Sequence, residues 1–205
     1  MFTASDWVFH DLTRPLHPDQ ERFPTDPPMS VHPLSTAADD GFEVTSYQVV
    51  GPTGTHVDAP AHVVPGGRTL EEIPASQSLL PLIVLDSPDV KAWEERHGRV
   101  PAGCFAALRG GGWTVPALEV LHSRGVIAIG HDTLNTDPAD LAAVGSFPAQ
   151  RWWLEHDHWQ IENLRPLTGL PAIGAWIMAT WPLPAGGSAF PARVIALTPA
   201  GQRER

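Results

Sequence analysis

The chain has 205 residues, of which 42% are apolar and 18% charged, and its formal net charge is −10. That length and apolar content suit one domain, 1–205, with a sizeable core, and make two small domains a poor fit. An acidic chain without a basic cluster argues against nucleic acid and against an anionic membrane surface, which leaves a small molecule as the expected partner.

At the N-terminus, Met1-Phe2-Thr3-Ala4-Ser5-Asp6 has neither the positive region nor the apolar stretch of a signal peptide. Asp6–Thr13 reads as a first strand. The proline-rich stretch Arg14–Pro33 reads as an extended, ordered loop, because proline fixes φ and removes a donor. Phe42–Val50 alternates and is rich in β-branched residues, so it reads as a strand. Pro81–Asp86 reads as a buried strand, and the apolar run around it, Leu79–Leu85, is far too short to span a bilayer. The single cysteine, Cys104, has no internal disulfide partner, which suits a reducing, cytoplasmic compartment. Ala117–Arg124 reads as a helix, Val126–Gly130 as another buried strand and Pro148–Asp157 as a helix. Ile173–Trp181 and Arg193–Leu197 read as late strands. Strands outnumber helices and alternate with them, which predicts an α/β or α+β class with a mixed sheet.

The densest chemistry lies in Thr53-Gly54-Thr55-His56-Val57-Asp58-Ala59-Pro60-Ala61-His62. His56, Asp58 and His62 have even spacing, so in an extended chain all three leave one face. Two imidazoles and a carboxylate on one face suit a divalent transition metal. Gly54 allows a close backbone approach, and Pro60 fixes the chain between the second and third polar groups. The bland alternative is a polar turn with exposed histidines.

This string resembles the H-x-G-T-H-x-D-x-P-x-H motif of the cyclase family, the group that includes bacterial kynurenine formamidases and isatin hydrolases. Further segments fall in the family's order. Asp11–Leu16 resembles its D-L-[ST]-x-P-L, Phe23–Pro28 its P-G-D-P-P loop, and His62 to Pro74 the stretch that ends in I-P. Gly130–Thr133 resembles its G-x-D-T, and Ile161–Leu164 contains its E-N-L. The resemblance runs from about residue 6 to about residue 197. It implies a compact mixed sheet or barrel-like core with flanking helices, a homodimer or homotetramer, and a zinc or manganese ion. It also implies hydrolysis of an amide, cyclic amide or lactone in an aromatic substrate. Carried over by position, His56 and Asp58 are metal ligands. His62 is a second-metal ligand or the general base, and Glu162 is a further ligand or a carboxylate that orients water.

Two positions depart from the family pattern. Pro52 stands where the motif's first histidine is expected, and Gln150 stands where a second-half histidine is expected, twelve residues before Glu162. Proline has no donor atom, and a glutamine carbonyl binds metal more weakly than imidazole. A two-metal site is therefore disfavoured, leaving one metal on His56, Asp58 and Glu162 or Gln150, or none. Of the histidines that compensate in principle (His10, His17, His32, His131, His156 and His158), His131 ranks first because it ends a buried strand. Trp152, Trp153, Trp159, Trp176 and Trp181 serve either core packing or an aromatic pocket. Phe23 is the best single candidate for stacking on substrate, with Trp153 and His131 as further substrate contacts. A metal-free cyclase or dehydratase of secondary metabolism and a non-catalytic scaffold are the competing readings.

Overall fold

The computed structural model describes residues 3–201, so Met1, Phe2 and residues 202–205 of the expected domain lie outside the described part. Its strands are β1 (Trp7–Asp11), β2 (Ser30–Ser35), β3 (Val44–Gln48), β4 (His56–Asp58), β5 (Leu79–Leu85), β6 (Phe105–Leu108), β7 (Ala128–His131), β8 (Trp159–Glu162), β9 (Ala175–Thr180), β10 (Ala189–Pro191) and β11 (Arg193–Pro199). Its α-helices are α1 (Ala37–Asp40), α2 (Val90–His97), α3 (Val115–Ser123), α4 (Ala139–Ala143) and α5 (Pro148–Glu155). Nine strands form one curled mixed sheet in the order β1-β11-β9-β5-β6-β7-β8-β4-β10, and β2 with β3 forms a separate hairpin. The centre, β5 to β8, is parallel, and the remaining pairs of the large sheet are antiparallel. Among the described residues no helix is long and apolar enough to cross a membrane.

Two cores follow from strand alternation, which sends successive side chains to opposite faces. On β5, Leu82 and Val84 join the core inside the curl, while Ile83 and Leu85 join the core under the helices. Val90 and Trp93 of α2, Leu118 and Leu121 of α3, and Ala149 and Trp153 of α5 complete the helix-side core. The same alternation governs β4 and β8. Val57 and Ile161 are fully buried inside the curl, so their neighbours His56, Asp58, Gln160 and Glu162 face the helix side. Each apolar side chain contributes roughly 1.5–3 kcal/mol by burial, which fixes the register and with it the direction of four polar groups.

The structure differs from the sequence reading in several places. β2 falls within the expected Arg14–Pro33 loop and runs past it. Its burial pattern is irregular and mostly exposed, so no alternating apolar signal marks it. A two-stranded hairpin also tolerates Pro33, because each strand has a free edge. Helix α2 buries only Val90 and Trp93, and Asp89 caps it by accepting from the Ala92 amide at 3.0 Å. Its apolar stripe is too narrow to stand out. Strand β6 is Ala-rich, which masks its β character.

Candidate active site

The strand spanning the motif is short. β4 ends at Asp58, and Pro60–His62 turns as a 3-10 helix, with the His62 amide donating to Ala59 O at 2.9 Å. The even spacing therefore holds for His56 and Asp58 only, and His62 arrives by the turn. Antiparallel pairing of β4 with β8 sets His56 opposite Glu162 and Asp58 opposite Gln160. Four polar side chains thus form a square on one face of the sheet.

The square is held from outside. Gly54 has φ +65°, and a Cβ there would meet Leu16 Cδ2 at 2.9 Å. Its carbonyl lies 3.0 Å from His56 Nδ1. A carbonyl can only accept, so Nδ1 carries the hydrogen, and in the neutral ring Nε2 offers its lone pair. The Arg14 amide donates to Thr55 Oγ1, and Arg14 Nε donates to the Asn163 and Leu164 carbonyls. Thr55 Oγ1 itself donates to Asn163 O at 2.7 Å. The N-terminal motif thus pins the left-handed turn at Asn163, φ 58°, which follows Glu162.

Each carboxylate has one anchored oxygen. Asp58 Oδ2 accepts from Gln160 Nε2 at 3.1 Å and from Gln150 Nε2 at 3.2 Å. Glu162 Oε1 accepts from the Thr136 amide, the Thr136 hydroxyl, and Nε2 of both glutamines. The other oxygens turn toward His56. Its Nε2 lies 3.6 Å from Asp58 Oδ1 and 3.5 Å from Glu162 Oε2, beyond hydrogen-bond reach. His56 Nε2 and Asp58 Oδ1 are buried without a hydrogen-bond partner. Burial pushes the Glu162 carboxyl upward, but His131, His56 and the Thr136 hydroxyl outweigh it and hold it below the usual glutamate range.

These residues fit a divalent metal. The three donor atoms lie within 4.8 Å of one another. Their separations approach the ~3.4 Å edge of a tetrahedron whose ligands stand about 2.1 Å from its centre. Two buried carboxylate oxygens facing one imidazole nitrogen also suit a cation, since uncompensated buried charge costs several kcal/mol (roughly) per ion. Above the cluster opens a cavity of about 310 Å³, lined by Phe23, His56, His62, Phe147, Gln150 and Glu162, with Pro52, Thr25, Asp26, Leu134 and Asn135 around them. Phe23 meets Phe147 edge-on, with ring centroids 5.9 Å apart.

Four assignments from the sequence need correction. Gln150 turns its amide nitrogen to the carboxylates, and that nitrogen donates hydrogen bonds and has no lone pair to give a metal. His62 lines the cavity but stands outside the three-residue cluster, because the turn at Pro60 breaks the strand period. His131 is fully buried behind Glu162, with Nδ1 3.0 Å from Thr133 O and Nε2 3.1 Å from Thr136 Oγ1, so it cannot touch substrate. Trp153 is also fully buried; it donates to Trp159 O at 3.0 Å and stacks on His158. Phe23 does line the cavity.

Sequence reasoning missed Gln160, Thr136 and Asp137. Gln160 was legible, since it sits two residues before Glu162 on a strand and shares its face. Thr136 and Asp137 lie in a loop with no pattern to mark them. Asp137 accepts from the Ala149 and Gln150 amides at 2.7 and 3.0 Å, which anchors the first turn of α5 and places Gln150. Gln160 acts as a positioning residue, since its one NH2 group bridges the two carboxylates. We expect Gln160→Leu to weaken metal binding roughly 10- to 100-fold with the fold kept. Isothermal titration gives the affinity, and an unchanged value would remove Gln160 from this role.

A buried acidic and imidazole cluster lies at the floor of a cavity, on the face of a curled mixed sheet, as an enzyme's reactive groups do. Comparison with known proteins places it. The model of the family described as "Putative cyclase" matches residues 10–138, more than half of the chain, and the chain belongs to that family. The isatin hydrolase of Roseibium aggregatum is 27% identical to it, across 84% of this chain and 82% of that protein. The kynurenine formamidase of Paracidovorax citrulli is 27% identical across 66% of this chain and 73% of its own length. Isatin hydrolase A from Labrenzia aggregata, solved with benzyl benzoate, superposes with a TM-score of 0.85 at 24% identity, covering 96% of this chain and 95% of that one. The protein is a member of this family, and its fold is that of the solved isatin hydrolase.

Proposed function

We propose that the protein hydrolyses an amide, cyclic amide or lactone bond in a small aromatic substrate, using one zinc or manganese ion held by His56, Asp58 and Glu162. The observation that carries this reading is the pair of unpartnered buried atoms, His56 Nε2 and Asp58 Oδ1, aimed at a common point with Glu162 Oε2. A bound divalent ion there would lower the pKa of water and polarise the substrate carbonyl. The chain's own groups supply the rest. His62 faces the cavity and takes a proton from the attacking water onto an imidazole nitrogen. Phe23 and Phe147 offer an apolar edge for an aromatic ring. The anchoring amides of Gln150 and Gln160 hold the two carboxylates in place. The names of the relatives, isatin hydrolase and kynurenine formamidase, support aromatic amides as the substrate class.

The test is metal content together with hydrolysis of isatin and N-formylkynurenine, with and without chelator. Turnover that tracks bound metal supports the reading. Metal-free protein that turns over at the same rate overturns it. One observation favours a metal-free acid–base enzyme: Gln150, placed where a family histidine is expected, already donates to both carboxylates. Against it, those bonds use Asp58 Oδ2 and Glu162 Oε1 and leave Asp58 Oδ1 and His56 Nε2 unpaired.

The proposal extends to a homo-oligomer, at least a dimer. Val31 and Tyr47 stand opposite each other on the β2–β3 hairpin and are both exposed, and adjoining exposed apolar side chains mark association surfaces. Sedimentation at micromolar concentration is expected to give a dimer or tetramer, and a monomer would refute this.

A further inference from the structure

The titratable groups on the cavity wall are His56, Glu162, His62 and Asp26. The first two face the proposed metal and His62 moves the proton, which leaves Asp26 without a part in the chemistry. Asp26 is half-buried. Among the described residues no hydrogen bond or ion pair reaches its carboxylate, and Arg22 spends its Nε–H on the Asp26 carbonyl at 3.1 Å. A partly desolvated carboxylate costs free energy unless a cation or a donor meets it. The backbone fixes where this one stands. The Asp26 amide donates to Phe23 O at 3.0 Å, so one tight turn brings both Asp26 and Phe23 to the cavity. Phe147 meets the Phe23 ring edge-on. An aromatic face is partly negative and attracts a cation within about 6 Å of its centre. No arginine or lysine is among the residues that line the cavity, so an anionic substituent would find no side-chain partner beside Asp26.

We propose, on the hydrolase reading of this cavity, that the substrate carries an ammonium group and no carboxylate on its aromatic part, away from the bond that is cut, and that Asp26 selects for it. The ammonium pairs with the Asp26 carboxylate and lies against the Phe23 ring, while the scissile carbonyl faces His56, Asp58 and Glu162. Tying the charged end limits the orientations in which the carbonyl meets the reactive groups. A neutral aromatic of the same size lacks the tie, and an aromatic carboxylate adds repulsion between like charges.

Formanilide and its para-aminomethyl and para-carboxymethyl derivatives share one scissile amide and differ in charge, so they test this directly. With full-length protein supplemented with zinc or manganese, at neutral pH and low salt, kcat/KM is expected to be about tenfold higher for the ammonium compound than for the neutral one, mostly through KM, and lowest for the carboxylate. High salt should shrink these differences, a readout that needs no variant. Asp26→Asn should bring the ratio of ammonium to neutral substrate to about one, and Asp26→Lys should reverse the order of the two charged substrates. Equal kcat/KM for all three in the wild type would overturn the proposal, and so would a preference that a folded Asp26→Asn retains. If none of the three is hydrolysed, the hydrolase reading falls, and calorimetry then decides the Asp26 subsite by itself. Benzylammonium should bind the wild type about tenfold more tightly than benzyl alcohol does, and Asp26→Asn should lose that difference. Equal affinities in the wild type would overturn the subsite.

Discussion

Asp58→Asn is expected to empty the metal centre, to cut turnover by more than about 100-fold, and to raise the melting temperature of the chelated protein. The first two effects follow from ligand chemistry. In the proposed site Asp58 supplies one of the two anionic donors, and its neighbours are amides that cannot replace a negative ligand. The third has the opposite sign because the metal-free site holds two carboxylates, Asp58 and Glu162, buried side by side. Asp58 and Glu162 are both buried, with their outer oxygens 3.6 and 3.5 Å from His56 Nε2 and their inner oxygens held by the amides of Gln150 and Gln160. The substitution removes one of two buried like charges. Replacing a buried ion by a neutral group of the same shape is often neutral or stabilising. Each kcal/mol gained shifts the midpoint by roughly 2–4 °C at this chain length. With metal present the comparison reverses. The wild type gains RT ln(1 + [L]/Kd), about 2.7 kcal/mol at a hundredfold excess over Kd, and the variant gains nothing. Scanning calorimetry of both proteins, with chelator and with excess zinc or manganese, reads all three effects. A variant that keeps its metal and its turnover would show that Asp58 is not a ligand.

How much of this site was legible in the sequence depends on whether a residue's position follows from period or from tertiary contact. His56 and Asp58 were legible because they sit two apart on a strand whose middle residue, Val57, is buried on the other face. Glu162 was legible through its E-N-L surroundings, and its partner Gln160 obeys the same rule of two. His62 looked like a continuation of the strand, but Pro60 at the start of a 3-10 turn ended the period. Gln150, expected as a metal ligand, lies beside the two carboxylates, yet which of its amide atoms faces them is set by their charge, which no spacing reports. Trp153 was ambiguous on composition alone. Its indole nitrogen found the Trp159 carbonyl inside the core, where a tryptophan needs a partner for its N–H. The broad fold was legible for the same reason. The buried runs at β5 and β7 and the late strands β9 and β11 carry strong patterns, whereas β2, β6 and α2 are short, exposed or Ala-rich.

His62→Ala separates the roles of ligand and base within the same cavity. The expected outcome is a fall in kcat of about 100- to 10,000-fold, the range for loss of a positioned proton-transfer group, with metal content unchanged. Retained metal follows from geometry, since His62 stands outside the cluster of His56, Asp58 and Glu162. A preserved fold follows from how the turn is built. Its hydrogen bonds are backbone ones, from Ala61 N to Arg68 O, from His62 N to Ala59 O and from Val63 N to Pro60 O, and none needs the imidazole. Proton transfer also has a signature that a structural role lacks. If the imidazole accepts a proton from water in the rate-limiting step, added imidazole in solution restores part of the lost rate, and the acid limb of the wild-type pH–rate profile flattens in the variant. A residue that only packs against substrate would instead raise KM, leave the shape of the profile alone and show no rescue. Near-wild-type kcat would remove His62 from the chemistry, and loss of metal together with activity would make it a ligand after all.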